Sequence, residues 1–419
     1  MAAIEKIVAE EIVDSRGIPT LKTTVYLADG SVGAASVPSG ASVGKNEALE
    51  LRDSDPTRYD GKGVLKAIEN VQDLIFNALK SVDATDQQKI DHIMQELDGT
   101  KNKSRLGANA ILSVSLAAAV AASISQKTSL YRYIAGLLKP VFTKAFQIPA
   151  IMANLIEGGK HFGQGLVFQE FLVIPRNLLS VEKELGGIKK ITKSLEELVR
   201  RSGLGTRLGM EGGLSLALQK NEAAVELLKK AITEAGFSES DWAVGLDLAA
   251  TTFYKNGQYQ IGDFPKALDK KEFIEYLQNL CQKNNLFSLE DPLEENDWEG
   301  WKELCSRLPR EVLIIGDDLT TTNLKRLEKA VMEKAISGVI VKPNQIGTLT
   351  ETLEFVKQAQ QARLKTIVSH RSGETEDSFI ADLAVAVAAD FIKIGSPLQK
   401  ERLKKYERLL AIEEEIASG

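Results

Sequence analysis

A chain of 419 residues and 45.8 kDa is too long for one ordinary core, which implies two domains, one of them barrel-sized. Its 43% apolar and 26% charged residues are those of a soluble globular protein, and a net charge of −6 without basic clusters argues against nucleic acid as a partner. Cys281 and Cys305 lack metal-ligand spacing, so a reduced, cytoplasmic setting is expected.

The first residues, MAAIEKIVAEEIVDSRG, carry acids where a secretory apolar core is needed, so no signal peptide is expected. Leu21, Thr23, Val25 and Leu27 alternate with Lys22, Thr24 and Tyr26, and Asp29-Gly30 turns the chain into a second β-like run, Ser31 to Val37, giving a hairpin. The loop Pro38 to Gly44 is small and hydroxyl-rich; it reads as a connector or as a metal- or anion-reaching loop. Val64, Ile68, Val71, Ile75 and Leu79 keep helical spacing. The uncharged run Ala108 to Gln126 is short for a membrane span and reads as a buried helix. A Pro-bounded link, Lys139 to Pro149, separates an N-terminal α+β capping domain, residues 1–138, from a barrel domain, residues 139–419.

The second domain opens with Ile151 to Ile156, the loop EGGKHFGQG, and the strand-like Val167 to Ile174, which Gln169 and Glu170 interrupt. A carboxylate there is either paired with a buried cation or part of a site. Glu211 stands among glycines in Gly209-Met-Glu-Gly-Gly213, either in a solvated turn or close to a ligand. Asn221 to Ala235 is an amphipathic helix closed by Gly236.

From there a pattern repeats. Short apolar runs end in Asp247, Glu290, Asp317-Asp318, Lys342, Ser369-His370-Arg371-Ser372 and Lys393, with helix-like segments such as Asn323 to Lys334 between them. Each is a strand–helix unit whose charge falls at the strand's carboxyl end, where parallel α/β structures place their chemistry. Consecutive units of this kind predict a β/α barrel with a polar ring on its top face.

The collected residues resemble the enolase (phosphopyruvate hydratase) family from about Ile4 to Ile416. The motifs are DSRG at 14–17, PSGAS at 38–42, ELRD at 50–53, ELDGTKNKSRLGANAIL at 96–112, FQEF at 168–171, EDP at 290–292, NDWEGW at 296–301, GDDL at 316–319, NQIGTLTET at 344–352 and SHRSGETED at 369–377. The resemblance implies an atypical, TIM-type β/α barrel behind an α+β cap, and reversible removal of water from 2-phosphoglycerate to give phosphoenolpyruvate. It implies Asp247, Glu290 and Asp317 as ligands of a first Mg²⁺ and Ser42 as a ligand of a second. Lys342 is then the base at C2, and Glu211, with Glu170 nearby, the acid at the C3 hydroxyl. His161, Gln169, His370, Arg371, Ser372 and Lys393 hold substrate, and neighbouring Mg²⁺ and Lys393 are expected to lower the Lys342 pKa. The family's habit implies a homo-oligomer, dimer or octamer, with no membrane span and no nucleic acid. Departures from the pattern stand at Ile18, Val43, Glu157, Lys160, Phe162, Met210 and Ile394. They leave two alternatives open: an enolase-like binding or structural protein with impaired catalysis, or another acid dehydratase of the superfamily.

Overall fold

The computed structural model describes residues 2–40, 44, 46–138, 146–159 and 165–418. Ser42, Val43, Lys160, His161, Phe162 and the first part of the link after Leu138 lie outside the described residues. Three antiparallel strands, β1 (Ile4–Val13), β2 (Pro19–Leu27) and β3 (Val32–Ser36), form the N-terminal sheet in that order. The Asp29-Gly30 hairpin is present, with Gly30 at φ +88° and the Leu27 amide donating to Ser31 O at 2.9 Å. In the β1–β2 turn, Asp14 accepts the amides of Arg16 at 2.8 Å and Ile18 at 3.1 Å. The sequence reading passed over β1, because IEKIVAEEIV mixes helix-favouring Glu and Ala with only a partial alternation; its pairing with β2 decides its state.

Helix Ala108–Ser125 packs across β2 and β3, with Thr23 and Ser113 hydroxyls 2.7 Å apart. It is long and apolar enough to cross a membrane, but 83% of it is buried inside the protein. Its approach to β3 depends on Gly33, where a Cβ would stand 2.1 Å from Ala121 N.

The barrel strands are β4 (Ala150–Glu157), β5 (Glu170–Pro175), then, after the hairpin β6 (Thr206–Leu208) and β7 (Leu214–Leu216), β8 (Trp242–Asp247). The small hairpin β9 (Tyr254–Lys255) and β10 (Gln258–Tyr259) precedes β11 (Ser288–Glu290), β12 (Leu313–Gly316), β13 (Gly338–Val341), β14 (Lys365–Ser369) and β15 (Phe391–Lys393). The order β4-β5-β8-β11-β12-β13-β14-β15 closes into an eight-strand ring, because β15 pairs with β4. From β8 on, a helix precedes each next barrel strand, as the repeated pattern implies, with the β9–β10 hairpin inserted after β8. Strand β5 is antiparallel to both its neighbours. Only 12 residues join β4 to β5, too few for the helical crossover a parallel pair requires.

Inside the ring, Met152, Leu172, Ile174, Leu313, Ile315, Ile340 and Ile367 make a compact apolar plug. Leu172, Gly245, Ser288 and Leu313 stand in register across four strands. Side chains alternate along a strand, so two residues further toward the top each strand presents its next inward group. Those groups are Glu170, Asp247 and Glu290 above that row, Asp317 two residues beyond Ile315, Lys342 beyond Ile340, Ser369 beyond Ile367 and Lys393 beyond Phe391.

Replacing Gly33 by Val should lower the urea midpoint, a loss of about 3 kcal/mol from overpacking against the Ala121 backbone. Gly136→Ala, at a helical position with open space around it, should not lower it. Equal midpoints for Gly33→Val and the parent would contradict this packing.

Candidate active site

The centre of the top face is Lys393. Its Nζ lies 3.0 Å from Asp247 Oδ2, 2.9 Å from Glu290 Oε2 and 3.1 Å from Glu170 Oε2. All four residues are at most 3% exposed, so the charges meet outside bulk water. Burial opposes the charge of Lys393, but Asp247, Glu170 and Glu290 outweigh it and hold its pKa well above the lysine value. Burial, then like charge from Glu211 and Asp247 respectively, pushes Glu170 and Glu290 well above the usual carboxylate range.

A second cation stands on β13's end. Lys342 Nζ pairs with Asp317 Oδ2, and Gln345 Nε2 donates to Asp317 Oδ1 at 2.9 Å. Burial opposes the charge on Lys342, yet Asp317 more than offsets it, and the lysine pKa is raised. Lys393 acts downward as expected, as does Arg371, but without a bound ion the contacting acid wins.

Glu211 sits in the turn between β6 and β7. Asn154 Nδ2 donates to its Oε2 at 3.3 Å, and His370 Nε2 faces the same oxygen at 3.3 Å. His370 Nδ1 lies 2.7 Å from Arg402 Nη1, and a guanidinium can only donate. Nδ1 is therefore the acceptor, and the imidazole hydrogen sits on Nε2, toward Glu211. Burial lowers the His370 pKa to about 4, so the ring is neutral near pH 7. The same loop places Arg371 against Glu47 Oε2 at 2.8 Å and Asn344 Oδ1 at 3.3 Å.

Of the residues singled out from sequence, Gln169, Glu170, Glu211, Asp247, Asp317, Lys342, His370, Arg371, Ser372 and Lys393 line one cavity. Glu290 reaches it through Lys393. Ser42 and His161 lie outside the described residues. Sequence reasoning missed Glu47 and Asp291, noted Asp318 only as a strand-end charge, and treated Glu157 only as a loop departure. Asp291 accepts the amides of Asp317 at 3.1 Å and Asp318 at 2.7 Å, and carboxylate oxygens of these three lie within 4.8 Å of one another. Burial, then Asp317, raises Asp318 to about 7. For Glu157 a signal existed: like the others, it is an acid closing an apolar run.

Seven carboxyls and three side-chain cations line the cavity. Buried carboxylates in such excess, offering hard oxygen donors, fit a divalent cation such as Mg²⁺. Comparison with protein families agrees with this chemistry: the Enolase, N-terminal domain matches residues 4–134, and the Enolase, C-terminal TIM barrel domain matches residues 145–419. The chain belongs to the enolase family. Enolase-superfamily enzymes act on a small-molecule substrate and use Mg²⁺.

Replacing Lys393 by Met should cost about 3–5 kcal/mol of metal-free stability, because three buried acids lose their counter-ion. An unchanged denaturation midpoint in chelator would contradict the central role of this ammonium.

Proposed function

We propose that this protein is a phosphopyruvate hydratase, catalysing Mg²⁺-dependent, reversible dehydration of 2-phosphoglycerate to phosphoenolpyruvate. The observation that carries the reading is that Lys342 and Glu211, a base and an acid, face one cavity whose centre is a buried ammonium. Lys342 follows β13 and Glu211 adjoins β4, three places apart around the ring, so a small substrate fits between them. A cytoplasmic setting is consistent with two free cysteines.

Asp247, Glu290 and Asp317 would hold the first Mg²⁺, with Ser42 contributing to a second. Mg²⁺ bound there would supply positive charge against the substrate carboxylate and against Asp317, the acid that raises the Lys342 pKa. A Lys or His base with one or two Mg²⁺ is the general superfamily pattern, inherited here with the family. Neutral Lys342 takes the C2 proton, and the electrons of that bond move into the substrate carboxylate, where Lys393 offers a fixed charge. Glu211, with Glu170 nearby, then protonates the C3 hydroxyl. The C3–O bond breaks, its electrons leave with water, and the C2=C3 bond forms. Arg371 and Ser372 bind the phosphate, Arg371 exchanging its Glu47 partner for it. His161, Gln169 and neutral His370 hold the remaining polar groups.

A coupled absorbance assay should detect phosphoenolpyruvate formation with Mg²⁺ and none in chelator; no product under either condition favours a binding or structural role instead. Lys342→Ala should lose both product and exchange of the substrate C2 hydrogen with deuterated water. Glu211→Gln should lose about 10²–10⁴-fold in product formation yet retain C2 exchange by NMR. Exchange surviving in Lys342→Ala would sink this assignment of roles.

The ion-binding set has its own test. Asp317→Ala should weaken Mg²⁺ binding by calorimetry and remove the Mg²⁺-dependent rise in Tm, since a ligand of the folded state stabilises by mass action. Unchanged Mg²⁺ affinity would exclude Asp317 from the set.

A further inference from the structure

At the end of β4 the Glu157 carboxyl is fully buried and wedged against two glycines. A Cβ added at Gly209 would stand 2.2 Å from its Oε2, and one at Gly213 would stand 3.1 Å from its Oε1. That Oε1 accepts the amide of Glu211 at 3.0 Å and the amide of Gly213 at 2.7 Å. One oxygen thus holds the backbone of the turn at Glu211 itself and again two residues on. Among the described residues, the charged groups facing Glu157 are Glu211 on the turn, Glu170 opposite it on β5, and Arg402 on helix Lys400–Ser418. Its register partner on β7, Ser215, is neutral. Lys160 and His161 lie outside the described residues. Burial, then the charge of Glu211, pushes Glu157 up to about 8, with the two amides and Arg402 pulling the other way.

We propose that Glu157 is a positioning residue for Glu211: its carboxyl anchors the 209–213 turn and shares a proton with the Glu211 carboxyl. The proposal rests on reading Glu211 as the acid of the dehydration. Charge on either carboxyl disfavours charge on the other, so the pair retains a proton to higher pH than an isolated glutamate. The anchor sets where the Glu211 proton meets the leaving hydroxyl. When Glu211 gives that proton up, both carboxyls are left charged, and the repulsion between them favours its transfer to the leaving hydroxyl.

Two variants separate anchor from proton. Glu157→Gln keeps an acceptor for the two amides but has no titrating group, whereas Glu157→Ala removes both. The first measurement is Tm from pH 5 to pH 9 for parent and Glu157→Gln. Between the ordinary glutamate value of 4.5 and about 8, the unfolded chain has lost this proton and the folded protein keeps it. The parent therefore loses stability with rising pH in that window, and the Tm of Glu157→Gln should climb relative to it. The second measurement is the pH dependence of kcat and KM. In Glu157→Gln the alkaline limb of kcat should move down by about one pH unit, with KM within about twofold of the parent. In Glu157→Ala kcat should fall about 10²-fold through misplacement of Glu211, and Gln should restore most of that at low pH. A Tm difference flat with pH, or a kcat limb unmoved in Glu157→Gln, overturns the shared proton. Parental kcat in Glu157→Ala overturns the anchor, and should that variant not fold, Glu157→Gln decides through both measurements. A parent that makes no phosphoenolpyruvate overturns the functional reading instead, and the Tm course still decides whether Glu157 holds the proton.

Discussion

A single ammonium, Lys393 Nζ, holds three acids that β5, β8 and β11 deliver in one register row, Glu170, Asp247 and Glu290. Lys393 itself comes from β15, which closes the ring against β4, so its side chain ties the closing strand to three others. The acids stay within about 3 Å of one nitrogen only at one registration of the strands, which makes closure of the barrel and assembly of the site a single geometric condition. Below this layer the Met152–Ile367 plug excludes water, so the charges interact through a medium that screens them poorly.

The N-terminal part is seated on this layer, not beside it. The Ser15 amide donates to Glu374 O at 2.7 Å, and Ser39 and Gly373 exchange two backbone bonds of 2.9 Å each. Glu47 reaches Arg371, and further along, Lys103 pairs with Glu351 at 3.0 Å while Asp91 accepts from the Thr350 amide at 2.9 Å. Three of these contacts end in the loop that also carries His370, Arg371 and Ser372. The loop Pro38 to Glu50 is thus fastened on both sides of Ser42, by the Ser39 bridge and by the Glu47–Arg371 pair. On the proposed role of Arg371 in binding phosphate, a substrate would compete for one of these fastenings, which would give the cap a physical reason to respond to occupancy.

Much of this was legible in the chain because the period-2 pattern of each strand continues into its terminal charge. Asp247, Glu290, Asp317, Lys342 and Lys393 are inward-facing for the same reason that Gly245, Ser288, Ile315, Ile340 and Phe391 are. Strand direction was less legible: Val167 to Ile174 looks the same in either sense, and only the short β4–β5 connection betrays the antiparallel turn. Protonation was not legible at all. The sequence puts Lys342 among cations, but Asp317, 25 residues away along the chain, is the group that touches it. Asp291 escaped notice because its work is on the backbone, holding the amides of Asp317 and Asp318.

Arg402 shows how far the site extends into the scaffold. From helix Lys400–Ser418 it donates to His370 Nδ1, to Arg371 O at 2.6 Å, to Ser372 O at 2.9 Å and to Met210 O at 3.4 Å. One buried guanidinium therefore fixes the His370 tautomer, the backbone of the proposed phosphate-binding pair and the turn that carries Glu211. A lysine could supply the charge but not this fork of donors, so the arginine's shape, more than its charge, is what the site requires. The acid at Glu211 is consequently held from two sides: Arg402 secures Met210 on its N-terminal flank, and Glu157 secures its own amide and that of Gly213. A residue proposed to present a proton at one point in space is thereby given a backbone with little freedom to move, on a turn whose glycines alone would leave it mobile.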